Sequence, residues 1–373
     1  MKLSKIIQKA PAPKNDSCRE APEAKPAEIL PEKSYRASVF RQPAVEKKLE
    51  SSVPQGTAPV VPAVLEQKKD LPPQEVKTTE ISRETEKQRA RNTYRDLINF
   101  ARETVALAGK WDIAEIKAKA DALVKVVVGE LIKENDELLV LTAKTTNDNY
   151  MYSHLANVCI LALRLGLGFS YSREKIIFFG TAALLHEASA PHVDLTRGVI
   201  KQRDNAKLTK EIYDRIQNKE LTGNMFSSEE LLQMAKVIGV VDIFESLSHT
   251  RKLRERKLPH EVLKIFIQSS DEVFENSIIK KFIEELSIYP PGSYVRLNSD
   301  QIGQVIRVNK KFPTRPVVEV LFDRDGVFLE KPVHVNLVEN AMMQISDAVD
   351  EDKLTKVDKK GLMEISLHKW WTE

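Results

Sequence analysis

The chain has 373 residues, enough for two or three domains with a sizeable core. Its formal net charge is only +3, and its lysines and arginines are mixed with acidic residues, which argues against the concentrated basic surface of a nucleic-acid-binding protein. Two cysteines are too few for a disulfide framework. The sequence shows neither a signal peptide nor a run of eighteen apolar residues, so we expect a cytoplasmic protein without a membrane span.

The N-terminal 78 residues differ in composition from the rest of the chain. Eleven of the eighteen prolines lie at or before Pro73, among Ala, Glu, Lys and Ser, with little helical or strand periodicity. Such a segment buries too little apolar surface to offset its conformational entropy. We therefore predict a disordered tail over residues 1–78. Its short apolar groups could dock a protein partner, and the alternative is a plain tether.

Helical periodicity begins near residue 79 and continues to about residue 288. Leu97, Ile98 and Ala101 recur at helical spacing, and Asp112 is a suitable N-cap for a second helix that ends near Lys133. We interpret residues 79–147 as N-terminal helices and residues 148–288 as the main helical domain. In that domain one helix carries His154, another starts at Ser172, and further helices are predicted at about 209–219, 228–248, 259–269 and 275–287.

After residue 288 the pattern changes to short β-rich runs. These runs cover about 294–297, 304–308, 317–322 and 327–329, with turn signals between them. We predict a small β-rich domain over residues 289–340, packed on the helices. Residues 341–373 are read as a charged C-terminal tail that closes in Trp370 and Trp371.

Histidine and carboxylate side chains interrupt two of the apolar helical runs. His186 and Glu187 end one run, and Asp242 lies inside another. An ionised carboxylate in such a place has to be paired, hydrogen-bonded or bound to metal. His154, on the preceding helix, could complete the set, since imidazole and carboxylate are ligands for divalent Zn, Mn and Fe. A buried histidine–carboxylate network without metal explains the same residues, so both interpretations stay open.

Other polar residues receive plainer interpretations. His192 and Asp194 follow Pro191 in a loop and could be stray metal ligands, but surface polarity is the preferred explanation. His249 lies at a helix end, and we expect it to be solvated. The basic run at 251–257 either grips phosphate or forms a solvated helix end.

Five motifs in order resemble the HD superfamily of metal-dependent phosphohydrolases, and within it the HD-GYP branch, which hydrolyses cyclic di-GMP. Each motif is weak alone, but five in the family's order indicate common ancestry. The matching segments are 148–154 with Asn157 and Val158 (family DxYTxxHSxNV), 180–187 (GxAALLHD), 207–209 (KLT), 241–247 with Arg251 and Arg254 (ADxFDAL…RPYR), and 289–293 with Val295, Leu297 and Gly303 (YPPGSxVxLxxxxxG).

The resemblance implies a mainly α fold, in which an HD-type helical bundle at 148–288 is followed by the small β-rich domain. It also implies which residues form the site. The metal-ligand positions of the family match His154, His186, Glu187 and Asp242, and its basic, phosphate-binding positions match Arg251 and Arg254.

The sequence departs from the family pattern at several site positions. The family motif HDxGK places Asp at Glu187, Gly at Ser189 and Lys at Ala190, and its next histidine falls near Lys219. The segment with paired histidines and the GYP signature has no counterpart before Asp242. Two-metal hydrolysis needs a carboxylate bridging two ions and a water activated between them. We therefore expect one divalent ion (Mn, Fe or Zn), weakly bound.

These departures leave two functional hypotheses. The first is a degenerate HD-GYP-like protein, catalytically weak or inactive, which acts as a regulator or binding module in bacterial cyclic di-GMP signalling. The second is an active metal-dependent phosphohydrolase with a mononuclear site that acts on a cyclic dinucleotide or another phosphoester.

Overall fold

The computed structural model describes residues 74–107, 112–144, 150–187, 202–217, 225–250, 255–270, 272–355 and 357–370. The predicted tail, with its docking groups, lies outside these ranges as far as Pro73. Residues 74–78, assigned to the tail from the sequence, belong instead to the first helix, which begins at Gln74. The sequence did not reveal this helix start because residues 74–78 show no apolar periodicity. Most of their residue types, such as Gln, Glu and Lys, nevertheless favour helix.

The described helices form a bundle, and two of them begin at the predicted caps Asp112 and Ser172. Asp112 accepts backbone N–H bonds at the start of α2, Ser172 does so at the start of α5, and Ser227 and Glu230 form a capping box on α7. The bounds are α1 Gln74–Ala106, α2 Ile113–Ile132, α3 Glu137–Thr142, α4 Tyr150–Gly168, α5 Arg173–Leu185, α6 Gln202–Ile216, α7 Ser228–Ser248, α8 Pro259–Gln268, α9 Asn276–Leu286 and α10 Lys359–Trp370.

Helix α4 forms the centre of the bundle. It packs against α1, α3, α5, α7 and α9, and nearly every side chain between Tyr150 and Gly166 is buried. Among the described helices it alone has the length and apolar composition of a membrane span, yet 78% of that stretch is buried inside the protein. Its buried polar residues His154, Asn157 and Arg164 therefore face other parts of the protein.

The second part of the fold is a five-stranded antiparallel sheet of order β4-β3-β2-β1-β5. Its strands are β1 Tyr294–Leu297, β2 Ile302–Arg307, β3 Val317–Phe322, β4 Phe328–Asn336 and β5 Ile345–Val349. In register, Val295 lies opposite Gly303 on β2 and Ala348 on β5. The structure thus confirms a mainly α protein that ends in a small β-rich domain.

The predicted end of the β domain at residue 340 is too early. β4 extends well beyond the predicted 327–329, and β5 and α10 lie within the segment read as a charged tail. β5 pairs with β1, about fifty residues earlier, and α10 packs Ile365 against Phe322 of β3. Both elements are stabilised by these distant partners, which short charged segments do not reveal.

Hydrogen bonds, ion pairs and a close backbone approach hold the sheet against the helical bundle. The Asp136 carboxylate accepts the Val308 N–H at 3.0 Å, and Arg256 donates to Asp350 at 2.7 Å and to Glu351 at 2.5 Å. Arg256 belongs to the basic run at 251–257, and its side chain, 16% exposed, is held by these carboxylates rather than by solvent. At the junction Gly292 has φ +92°, and a Cβ there would lie 2.5 Å from the Ala143 Cβ.

Candidate metal site

The structure brings the four predicted ligand residues together from three helices. His154 lies in the first turns of α4, His186 is the C-cap of α5 with Glu187 next to it, and Asp242 lies in the middle of α7. All four are buried, none more than 6% exposed. One ligand atom from each lies within 4.8 Å of the other three. Packing of α4 against α5 and α7 positions the cluster, as inward-facing side chains do in other helical bundles.

The spacing between these atoms fits a first-row divalent ion. His154 Nε2 lies 3.4 Å from Asp242 Oδ1 and 3.5 Å from Glu187 Oε2, and His186 Nε2 lies 4.0 Å from Asp242 Oδ2. Metal–nitrogen and metal–oxygen bonds of about 2.0–2.2 Å place the donors of a tetrahedral site about 3.4 Å apart. Glu187 thus reaches the cluster even though its side chain has one methylene more than the aspartate of the family motif.

Hydrogen bonds on the far side of each imidazole set its tautomer. His154 Nδ1 donates to Glu245 Oε2 at 2.5 Å, and His186 Nδ1 donates to the Ala183 carbonyl at 2.7 Å. Carboxylate and carbonyl oxygens only accept, so Nδ1 carries the proton in both rings. The two Nε2 atoms face the cluster and have no hydrogen-bond partner among the described residues. Metal-binding histidines are oriented in this way.

Glu245 is the site residue that the sequence reasoning missed. Its side chain is fully buried and accepts hydrogen bonds from Tyr150 Oη and Asn157 Nδ2, both at 3.0 Å, besides that of His154. Burial opposes its ionisation, but the charges of His249 and His154 outweigh this and hold the pKa of Glu245 well below its ordinary value. Its position three residues after Asp242, on one helix face within an apolar run, was the available signal.

The electrostatics of the cluster favour a positive charge at its centre. Burial disfavours a charged His154, but Glu245, Asp242 and Glu187 outweigh this and raise the pKa of His154 to about 9. Burial lowers the pKa of His186. A proton on His154 and a divalent cation would therefore compete for the same carboxylates.

Four of the other polar residues considered in the sequence lie outside the described residues, and the prediction made for a fifth, His249, is wrong. Arg251, Arg254, His192 and Asp194 lie outside the described ranges. His249, expected to be solvated, is only 7% exposed. Its Nδ1 lies 2.8 Å from the Glu245 carbonyl and its Nε2 lies 2.9 Å from the Thr142 carbonyl. Its Nδ1 also lies 3.1 Å from the Glu245 Oε1, so the ring is enclosed by its own helix and by α3. Helix α3, which supplies Thr142, was not predicted from the sequence. The burial of His249 against it could therefore not be predicted either.

Comparisons with known proteins agree with this arrangement. A family model described as "KOW domain associated with HD domain" matches residues 294–357. This match, too, continues beyond residue 340, the predicted end of the β domain. Over 235 residues the chain is 23% identical to a cyclic di-GMP phosphodiesterase of Pseudomonas aeruginosa, covering 55% of this chain and 56% of the relative. The chain thus spans about half the length of that relative. No solved structure matches significantly. The family-model match and the phosphodiesterase relative thus make the chain similar to HD-domain proteins, and its helical bundle contains a buried histidine–carboxylate cluster.

Proposed function

We propose that this chain is a regulatory HD-domain protein that binds a cyclic dinucleotide, or a related phosphodiester, at a single-cation site with little or no hydrolysis. The observation that carries the proposal is the convergence of four buried donor residues around one point. The similarity to a cyclic di-GMP phosphodiesterase indicates the class of ligand.

The chain's own residues supply a prepared cation site. His154, His186, Glu187 and Asp242 would hold one divalent ion (Mn, Fe or Zn). When bound, the ion supplies a Lewis acid for a phosphoryl oxygen. Glu245 fixes the ring of His154 through Nδ1, so that its Nε2 lone pair points into the cluster. Such partners of metal ligands contribute to affinity by limiting ring rotation.

Several features support weak catalysis. Among the described residues, histidine and carboxylate donors with ligand spacing gather in this one group. Between Glu187 and Asp242 the sequence contains a single histidine, His192, and Ala190 stands where the family motif has a cationic lysine. A second ion would therefore find few protein ligands, and the phosphodiester would lack one positive charge.

A second candidate function is an active mononuclear phosphohydrolase. It is favoured by the two imidazoles whose Nε2 atoms face the cluster beside the carboxylates of Glu187 and Asp242. One ion in such a site polarises a phosphoryl group without a partner ion. The two functions share one binding site and differ in turnover.

Incubation of the full chain with Mn²⁺ and cyclic di-GMP tests the proposal. We expect saturable, Mn-dependent binding and recovery of the intact dinucleotide, with turnover at least about 10⁴-fold below a typical enzymatic rate of about 10 s⁻¹. Chromatography of the nucleotides measures turnover, and equilibrium dialysis measures binding. His186→Ala is the matched variant and should lose the Mn-dependent binding. Sustained formation of linear dinucleotide or GMP that His186→Ala abolishes would establish the active phosphohydrolase instead.

A further inference from the structure

A buried tyrosine on α1 lies at the start of a series of hydrogen bonds that ends at the cation cluster. Tyr94 is fully buried, and its hydroxyl lies 2.8 Å from Asn157 Oδ1 and 3.5 Å from the Lys144 carbonyl. Asn157 Nδ2 in turn donates to Glu245 Oε1 at 3.0 Å, and Glu245 Oε2 accepts from His154 Nδ1. Three helices, α1, α4 and α7, thus contribute to what we call the Tyr94 network (Tyr94, Asn157, Glu245 and His154).

The direction of each hydrogen bond in the Tyr94 network follows from the groups that form it. A carboxylate only accepts, so Asn157 turns its amide N–H₂ group toward Glu245 and its carbonyl oxygen toward Tyr94. The phenol therefore donates, and the shorter distance identifies Asn157 as its acceptor. Burial and the charge of Glu245 raise the pKa of Tyr94, which keeps the phenol protonated. The phenol and the carboxylate thus select the same orientation of the amide.

Asn157 and the ring of His154 bind different oxygens of the Glu245 carboxylate. Oε1 accepts from Asn157 and lies 3.1 Å from His249 Nδ1, whereas Oε2 accepts from His154 and from Tyr150. Holding Oε1 limits rotation of the carboxylate about its last bond, so Oε2 stays directed at the imidazole. If the amide turned over, its carbonyl oxygen would face a carboxylate oxygen, and this contact is repulsive. The phenol at the start of the network opposes that rotation from the other side.

We propose that Tyr94 is a positioning residue for the cation site, so that cation affinity depends on how α1 packs against α4. It acts through Asn157 and Glu245 on the ring of His154. The inference rests on the cation site of the proposed function and concerns the regulation of that site. Partners that fix the ring of a metal ligand contribute to metal affinity, and Tyr94 extends this effect to a third helix. A displacement of α1 would then lower cation affinity without touching a ligand.

Tyr94→Phe, which keeps the ring and removes only the hydroxyl, tests the proposal. Calorimetric titration of the full chain with Mn²⁺, without nucleotide, should give an affinity about three- to tenfold weaker than that of the parent, because one hydrogen bond is lost. Thr104→Val is the matched control. Thr104 is buried on the same helix, and its hydroxyl donates to the Phe100 carbonyl at 2.7 Å. This variant also loses a buried hydrogen bond on α1, but it should keep the Mn²⁺ affinity of the parent.

A spectroscopic measurement on the metal-free protein separates positioning from a loss of stability. In chelator, the Nδ1–H proton of His154 reports its hydrogen bond to Glu245 by NMR of protein labelled at its histidine nitrogens. The resonance is assigned by its absence in His154→Ala. We expect it to move upfield in Tyr94→Phe, because a less firmly held carboxylate makes a weaker hydrogen bond, and to stay in place in Thr104→Val.

The proposal is overturned if Tyr94→Phe keeps the Mn²⁺ affinity of the parent, if Thr104→Val weakens it equally, or if the His154 resonance is unchanged in Tyr94→Phe. Tyr94 would then only stabilise the packing of α1. Neither measurement uses a nucleotide. A parent chain that binds Mn²⁺ but no cyclic di-GMP would therefore refute the proposed function while the role of Tyr94 stands, and an unaffected Tyr94→Phe protein would do the reverse.

Discussion

Asp242→Asn is expected to weaken Mn²⁺ binding by at least about 100-fold, since loss of even an outer partner of a metal ligand costs about 10–100-fold. Both carboxylate oxygens of Asp242 face imidazole Nε2 atoms of the cluster, at 3.4 Å and 4.0 Å. The same change should alter the free energy of unfolding in chelator by less than about 1 kcal/mol. Neutralising a buried carboxylate removes its desolvation cost along with its attraction to His154.

Urea unfolding in chelator, and again with excess Mn²⁺, measures the effect of Asp242→Asn on the free energy of unfolding. Calorimetric titration with Mn²⁺ measures its effect on metal affinity. Asp96→Asn, an exposed aspartate on α1, is the matched control and should leave both quantities unchanged. A loss of about 1–3 kcal/mol that is equal with and without Mn²⁺ would contradict a cation site. That result would support the metal-free network of histidines and carboxylates.

Glu245→Gln is expected to destabilise the protein by about 3 kcal/mol, because it leaves charged and polar donors buried without their acceptor. The carboxylate accepts from His154 Nδ1, Tyr150 Oη and Asn157 Nδ2, and lies beside His249. An amide keeps the shape but turns an N–H₂ group toward donors. Because the ring of His154 loses its anchor, Mn²⁺ affinity should fall about 10- to 100-fold.

Denaturant melts and metal titration of Glu245→Gln are best compared with Glu229→Gln. Glu229 is exposed in the first turn of the same helix, so its variant should stay within about 0.5 kcal/mol of the parent and keep its metal affinity. Normal Mn²⁺ affinity in a destabilised Glu245→Gln protein would show that Glu245 supports the fold alone and does not position His154.

Local signals in the sequence predicted much of the bundle and the cluster. Asp112 and Ser172 cap helices where predicted, and α7 has the predicted bounds, because capping and apolar periodicity act within a few residues. Polar side chains inside apolar helices also indicated His186 and Asp242 as site residues, because burying such a side chain without a partner costs free energy.

Contacts between distant parts of the chain were not predictable in the same way. Glu245 lies within the motif at 241–247, but its partner His154 is 91 residues earlier, so the local sequence did not identify the pair. His249 lies at a helix end, which suggests solvent, yet α3 covers it through Thr142. β5 is stabilised by pairing with β1 rather than by its own composition. In each case the decisive partner is far away in sequence, and periodicity carries no information about it.

The number of metal ions per chain tests the central claim most directly. The full chain is passed through gel filtration in buffers of defined free Mn²⁺ and analysed by plasma emission spectrometry, with the buffer subtracted, beside His154→Ala. The single cluster of four donors among the described residues predicts at most one ion per parent chain, approaching one as free Mn²⁺ rises, and none in the variant. Two tightly held ions per chain, or an equal metal content in both proteins, would contradict the account.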